Sequence, residues 1–128
     1  MITVVVESFK KGFDRLKPTI KRDARKLANF LREKNAYLEI FLVDDSFMNK
    51  NVLAFPAPKE FPRPDIKGKW LGEIYLNPHY IKKHDEDPTY MLIHGFLHLL
   101  GYDHLKKNDR IRMQKEENRL LKFLRSHG

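Results

Sequence analysis

Runs of apolar, mostly β-branched or aromatic residues predict four short strands. Three of these runs occupy residues 2–7, 37–43 and 70–76, and a shorter one occupies 52–55. The run at 37–43 is almost continuously apolar, which suits a strand in the interior of a sheet. The run at 52–55 ends at Pro56, the first of four prolines in a loop that has neither helical nor strand periodicity.

Apolar residues at steps of three and four predict an amphipathic helix that begins at Pro18 and closes at Asn35. Its outer face is basic. The stretch before it, 10–17, contains Gly12 and several basic residues and predicts a connection. The apolar positions of the helix are Ile20, Ala24, Leu27 and Leu31.

A second predicted helix differs from the first because it is apolar on nearly all sides. Asp87 supplies a capping carboxylate and Pro88 occupies the first helical position, so this pair predicts the start of the helix. The apolar run continues to Leu100 and stops at Gly101. A helix of this character must be buried at the centre of the domain. A short helix after Asn77 and a terminal helix from about Asn108 complete the pattern.

These elements predict an α+β fold in a single domain spanning residues 1–128. The chain is too short for two separate cores, and no linker divides it. We expect a small mixed β-sheet, covered mainly on one face and packed against the buried apolar helix, with flanking helices. The sequence does not determine which strands pair.

The composition limits which partners and which reactive groups the chain can use. The chain has 25 Lys and Arg against 17 Asp and Glu, a formal net charge of +8, which favours a polyanionic partner such as nucleic acid. It has no Cys, which excludes disulfides, thiolate metal ligands and cysteine nucleophiles. No apolar run approaches the roughly 20 residues of a membrane span, and no basic leader precedes the first strand. We therefore expect a cytoplasmic protein with no membrane partner.

Three of the six histidines fall within eleven residues. His94 and His98 are four apart on the apolar helix, so their rings project from the same face. Gly101 permits the left-handed conformation that ends a helix and would return the chain so that His104 joins them. Three imidazoles suit one ion of zinc or a related transition metal per chain and leave a coordination position open, which is typical of a catalytic metal site. The alternative is that these are surface or hydrogen-bonded core histidines, although burial of three unpaired imidazoles would be costly.

Two neighbouring residues qualify this site. In the H-E-x-x-H pattern of zinc proteases a Glu general base follows the first His, whereas here that position is Gly95. The protease hypothesis therefore loses its usual base. Asp103 directly precedes a predicted ligand and is a candidate for orienting an imidazole, and an equal alternative is that Asp103 lies in a solvated turn.

The stretch from His94 to His104 resembles the signature of the YbeY-type bacterial endoribonucleases, H-G-x-L-H-L-x-G-Y-D-H, at every fixed position. Residues 52–56 (V-L-A-F-P) and 71–74 (L-G-E-I) are similar to two strands of that family. The resemblance implies an α+β fold, zinc held by His94, His98 and His104, and cleavage of single-stranded RNA during ribosomal RNA maturation and ribosome quality control.

The chain departs from the family between Asp44 and Asn51. Family members carry an Arg in this region that is held to matter for activity, whereas the connection here is short and contains no Arg. Lys50 is the nearest candidate for a replacement phosphate contact, although a Lys lacks the bidentate geometry of an Arg. The alternative is a weakened activity.

Three hypotheses follow. The first is a zinc-dependent single-strand endoribonuclease that acts on ribosomal RNA or the ribosome, with either activated water or a ribose 2′-OH as the nucleophile. The second is a metal-dependent hydrolase of another substrate. The third is an RNA- or ribosome-binding module with a structural zinc and reduced or lost catalysis.

Overall fold

The computed structural model describes residues 2–33, 35–58, 65, 68–102 and 105–127, without the side chain of residue 127. They form a mixed four-stranded sheet with helices packed on it, which confirms the α+β prediction. The strands are β1 (Thr3–Ser8), β2 (Ala36–Leu42), β3 (Val52–Pro56) and β4 (Lys69–Leu76). The α-helices are α1 (Lys17–Phe30), α2 (Pro78–Lys83), α3 (Pro88–Leu99) and α4 (Lys107–His127).

The strands lie in the order β1, β2, β4, β3. β1, β2 and β4 are parallel, and their last residues are in register, since Leu42 pairs with both Ser8 and Leu76. β3 runs antiparallel to β4 at one edge, with Val52 opposite Leu76. The chain therefore leaves β2 at the carboxyl end of the parallel strands and crosses over β4 before it enters β3.

One face of the sheet is buried and the other is only partly covered. In β2 the alternate residues Ala36, Leu38, Ile40 and Leu42 are buried, while the residues between them are half-buried. α1 packs on β1, and α3 packs on β3 and β4 as well as on α1 and α4. Six of the twelve residues of α3 are buried, so α3 is the central helix that its composition predicts.

Two local predictions were wrong. The connection predicted at 10–17 contains a 3₁₀ helix, Lys11–Leu16, because Phe13 turns into the core and is only 4% exposed. The predicted end of α1 at Asn35 lies beyond its real end at Phe30. There Arg32 adopts φ = 59°, and the amides of Arg32 and Glu33 bond to the carbonyls of Asn29 and Ala28, which closes the helix early.

The other boundaries agree with the sequence to within about two residues. Much of the predicted proline-rich loop lies outside the described residues. None of the helices in the described part of the chain combines the length and apolarity that a membrane crossing requires.

Candidate metal centre

α3 brings His94 and His98 together, as the sequence predicts. The helix begins as expected, because the Asp87 carboxylate accepts a hydrogen bond from the Thr89 amide at 2.9 Å. The two Nε2 atoms lie 3.2 Å apart, and the ring planes are inclined at 78°. Both histidines are half-buried. Their ring nitrogens therefore converge on one point beside the helix.

The predicted turn after α3 is present. Gly101 has φ = 100°, a conformation that residues with a Cβ rarely adopt, and the Tyr102 amide bonds back to the Leu97 carbonyl at 3.0 Å. Asp103 and His104 lie outside the described residues. The role of His104 as third ligand and that of Asp103 in orienting an imidazole therefore stay predictions.

Glu117 of α4 contacts His94, and the sequence analysis did not identify it. It is only 5% exposed, and its Oε2 lies 2.5 Å from His94 Nδ1. Its other oxygen, Oε1, accepts the hydroxyl of Tyr90 at 2.7 Å. Burial, followed by this hydrogen bond to Glu117, raises the pKa of Tyr90 to about 12. The carboxylate is thus held by two side chains from neighbouring turns of α3.

A signal for Glu117 does exist in the sequence. It lies four residues after Met113 and three before Leu120, which places it on the apolar stripe of α4. Met113 and Leu120 are both buried. A carboxylate at such a position is costly unless it is hydrogen-bonded, so its place on the stripe predicts a polar partner across the helix interface.

A cavity of about 180 Å³ adjoins His94. Asn51 lies at its wall, where the side-chain amide of Asn51 donates to both Glu86 oxygens at 3.2 Å. Lys50, the candidate phosphate contact, is exposed beside Asn51. The cavity is lined by Asn51, Val52, Tyr90, Met91, His94 and Glu117.

Asn77 holds the short loop that carries Lys50. Its side chain is fully buried and donates to Asp45 at 2.8 Å and to the Met48 carbonyl at 2.9 Å, while its oxygen accepts from the Tyr80 amide. The predicted cap of α2 is therefore confirmed, and the same side chain also fixes the 44–51 loop against the end of β4. The position of Asn51 beside His94 depends on this anchor.

Gly95 has a structural role that explains the absence of the protease Glu. It is buried against the sheet, and a Cβ at this position would lie 2.9 Å from Ile74 Cγ2 and 3.2 Å from Val52 Cγ2. No side chain larger than hydrogen fits between helix and sheet without a displacement. A general base therefore cannot come from this position.

The two histidines fit a zinc ion. Two nitrogens bound at 2.0–2.1 Å to a tetrahedral ion lie roughly 3.3–3.4 Å apart, and the observed separation of the Nε2 atoms is 3.2 Å. Within the described residues no set of three His, Cys, Asp or Glu side chains forms a metal site. The donor chemistry of His94 and His98 suits zinc, and the predicted third ligand, His104, lies outside those residues.

Two further histidines, His79 and His84, do not join this centre. Both are exposed. The His79 ring packs edge-on against Phe13, and His84 stacks on Tyr80 with its Nδ1 2.9 Å from the Tyr80 carbonyl. His84 therefore offers a control position for experiments on the centre.

Two known proteins are similar in sequence to more than half of this chain. A protein named Endoribonuclease YbeY from Pelagibacter ubique is 36% identical over 97 residues, which cover 66% of this chain and 61% of the relative. A protein of the same name from Rhizobium etli is 40% identical over 81 residues, which cover 56% of this chain and 46% of the relative. The chain spans about half to three fifths of the length of these relatives.

The fold has a solved counterpart in the solution structure of TM1509 from Thermotoga maritima. The TM-score is 0.56 at 21% identity, and the match covers 98% of this chain and 93% of that one. A family model described as Endoribonuclease YbeY matches residues 14–125. Since that match includes all of β2, β3, β4 and α3, and confirms the resemblance noted from the sequence, the chain belongs to the YbeY family.

Proposed function

We propose that this protein is a zinc-dependent endoribonuclease that cleaves single-stranded RNA, with ribosomal RNA as the substrate and ribosome maturation and quality control as the setting. The observation that carries the proposal is the convergence of His94 and His98, with Nε2 atoms 3.2 Å apart beside an open cavity. Membership of the YbeY family supports the reaction type, and the relatives bear the name endoribonuclease.

His94, His98 and His104 would hold the metal. A bound zinc ion lowers the pKa of water to roughly 7 and polarises a phosphoryl oxygen. The protein's own contribution is to fix two imidazoles at a separation that suits zinc and to keep one side of the centre open. Asn51 borders that open side, and Glu86 fixes the orientation of its amide.

Positive charge supports an RNA substrate. The net charge is +8, and the outer face of α1 presents Arg22 and Arg25 to solvent. Each phosphate that such groups neutralise releases condensed counterions, so RNA affinity should fall steeply as salt rises. Lys50 is exposed beside the cavity and is the proposed phosphate contact in the loop that lacks an Arg.

The test is cleavage of a labelled single-stranded RNA by protein purified without chelator. We expect zinc in the purified protein at about one ion per chain, cleavage that EDTA abolishes and zinc restores, and little cleavage of a duplex of the same length. His98→Ala should lose cleavage while remaining folded. The matched control is His84→Ala, which removes an exposed histidine and should retain activity.

One feature of the sequence favours an alternative, a binding module, because the 44–51 loop contains no Arg. A folded, zinc-loaded protein that binds single-stranded RNA in a salt-sensitive manner but leaves it intact with every divalent metal tried would establish that alternative. Full cleavage by His98→Ala would show instead that the reaction takes place elsewhere.

A further inference from the structure

We propose that Glu117 is a positioning residue that fixes the tautomer and ring orientation of His94, with Tyr90 as its support. The inference rests on the proposed metal centre, because it concerns which nitrogen of His94 faces the ion. The geometry that carries it is a buried carboxylate bonded on one oxygen to His94 Nδ1 and on the other to the Tyr90 hydroxyl.

The donor and acceptor roles follow from the chemistry of the two groups. An ionised carboxylate only accepts hydrogen bonds, and a neutral imidazole has one N–H and one bare nitrogen. With Glu117 ionised and its Oε2 2.5 Å from Nδ1, a neutral His94 carries its proton on Nδ1. The lone pair is then on Nε2, the atom that faces Nε2 of His98. Glu117 thereby makes the converging nitrogen the one that can bind a metal.

Tyr90 prevents the carboxylate from turning. Its hydroxyl donates to Oε1 at 2.7 Å, so both oxygens of Glu117 are engaged and the carboxylate plane is fixed. Tyr90 lies one turn before His94 on α3, whereas Glu117 comes from α4. The three side chains thus tie the two helices together at the centre. The raised pKa of Tyr90 means that this hydroxyl remains a donor at neutral and moderately alkaline pH.

A neighbouring carboxylate supplies a matched control. Glu116 is on the same helix but bonds to Tyr102 at 3.1 Å and to Arg119, not to His94. A purely structural role for buried Glu117 would alter stability alone. A positioning role would alter metal affinity and the protonation pattern of His94 as well, because outer hydrogen-bond partners of metal ligands contribute roughly 10- to 100-fold to metal affinity.

The experiment measures zinc affinity by competition with a chromophoric chelator. The variants are Glu117→Ala, Glu117→Gln and Tyr90→Phe, with Glu116→Gln as control. We expect about 10- to 100-fold weaker binding for Glu117→Ala, a smaller loss for Glu117→Gln, whose carbonyl can still accept from Nδ1, and a smaller loss again for Tyr90→Phe. Glu116→Gln should bind zinc as the wild type does. Thermal melts identify variants that fail to fold. If Glu117→Ala is unfolded, the zinc affinity of Glu117→Gln, which is nearly isosteric with the wild type, tests the proposal.

A second measurement reads the tautomer without metal. In ¹⁵N NMR spectra of the metal-free protein, His94 should show a protonated Nδ1 and a bare Nε2, and Glu117→Gln should weaken that preference. Zinc affinity of folded Glu117 variants equal to that of Glu116→Gln, or a wild-type His94 protonated on Nε2, would overturn the inference. A protein that binds zinc with this dependence but cleaves no RNA would contradict the proposed function and leave the role of Glu117 standing.

Discussion

Replacement of Leu97 by alanine should destabilise the protein strongly, because Leu97 lies at the centre of α3. Its side chain is fully buried, and it is surrounded by the core that α3 shares with the sheet and with α4. The substitution removes three buried carbon atoms. At about 0.8 kcal/mol for each, the lost transfer free energy is about 2.4 kcal/mol.

The cavity left behind adds to this cost. Each Å³ that the surroundings fail to fill costs about 24 cal/mol, so a residual cavity on the order of 60 Å³ adds about 1.4 kcal/mol. The surroundings cannot easily close this cavity, because α3 already lies as close to the sheet as a glycine at position 95 permits. A Cβ atom built on Gly95 would lie only 2.9 Å from Ile74 Cγ2. We therefore expect a loss of about 3–5 kcal/mol.

The assay is urea denaturation of the metal-free protein, with EDTA present so that zinc binding does not contribute to stability. The control is Leu105→Ala, a chemically identical change at a side chain that is 82% exposed, which should change the free energy of unfolding by no more than about 0.5 kcal/mol. A loss below about 1 kcal/mol for Leu97→Ala, with an unchanged denaturant slope, would refute the claim that α3 is central to the core.

Two further predictions concern polar groups. Asn77→Ala should cost about 1–3 kcal/mol, since it removes the three hydrogen bonds of this fully buried side chain and leaves the buried Met48 carbonyl without that donor. Denaturation measured beside the exposed Asn108→Ala checks this, and equal stabilities of the two variants would contradict it. Burial and Glu117 raise the pKa of Tyr90 from 10.0 to about 12, so the stability that this phenol contributes is complete below pH 10 and is lost as pH rises towards 12. Thermal melts of Tyr90→Phe should accordingly decline less steeply than those of the wild type over that window, and parallel declines would refute the linkage.

The strands and the central helix were predictable because their signals are local. Runs of β-branched residues mark the strands, and Asp87 with Pro88 marks the start of α3 through a cap that depends on adjacent residues only. The same holds for Gly101, whose conformation ends the helix. Strand order was not predictable, since β2 pairs with β4 and not with β3, the next strand along the chain.

The features that the sequence did not predict depend on contacts between residues that are distant in the chain. The 3₁₀ helix at Lys11–Leu16 forms around Phe13, an isolated apolar residue in a basic stretch whose burial depends on the rest of the fold. Glu117 was overlooked because its partner, His94, is 23 residues away and on another helix. Among the proposed metal ligands, the pairing of His94 with His98 followed from helical spacing, whereas the position of His104 requires a chain reversal and stays a prediction.

In the proposed zinc centre, the close approach at Gly95 would link metal affinity to the packing of the core. His94 directly precedes Gly95, and Gly95 rests against the methyl groups of Ile74 and Val52. Any substitution that pushes α3 away from the sheet must also move His94 relative to Glu117 on α4. By thermodynamic linkage, a zinc ion that binds most tightly when Glu117 holds His94 would stabilise that packed arrangement by RT ln(1 + [Zn²⁺]/Kd). In the proposed zinc centre, Ile74 and Val52 would therefore help to set the affinity for the metal, although neither contributes a ligand atom.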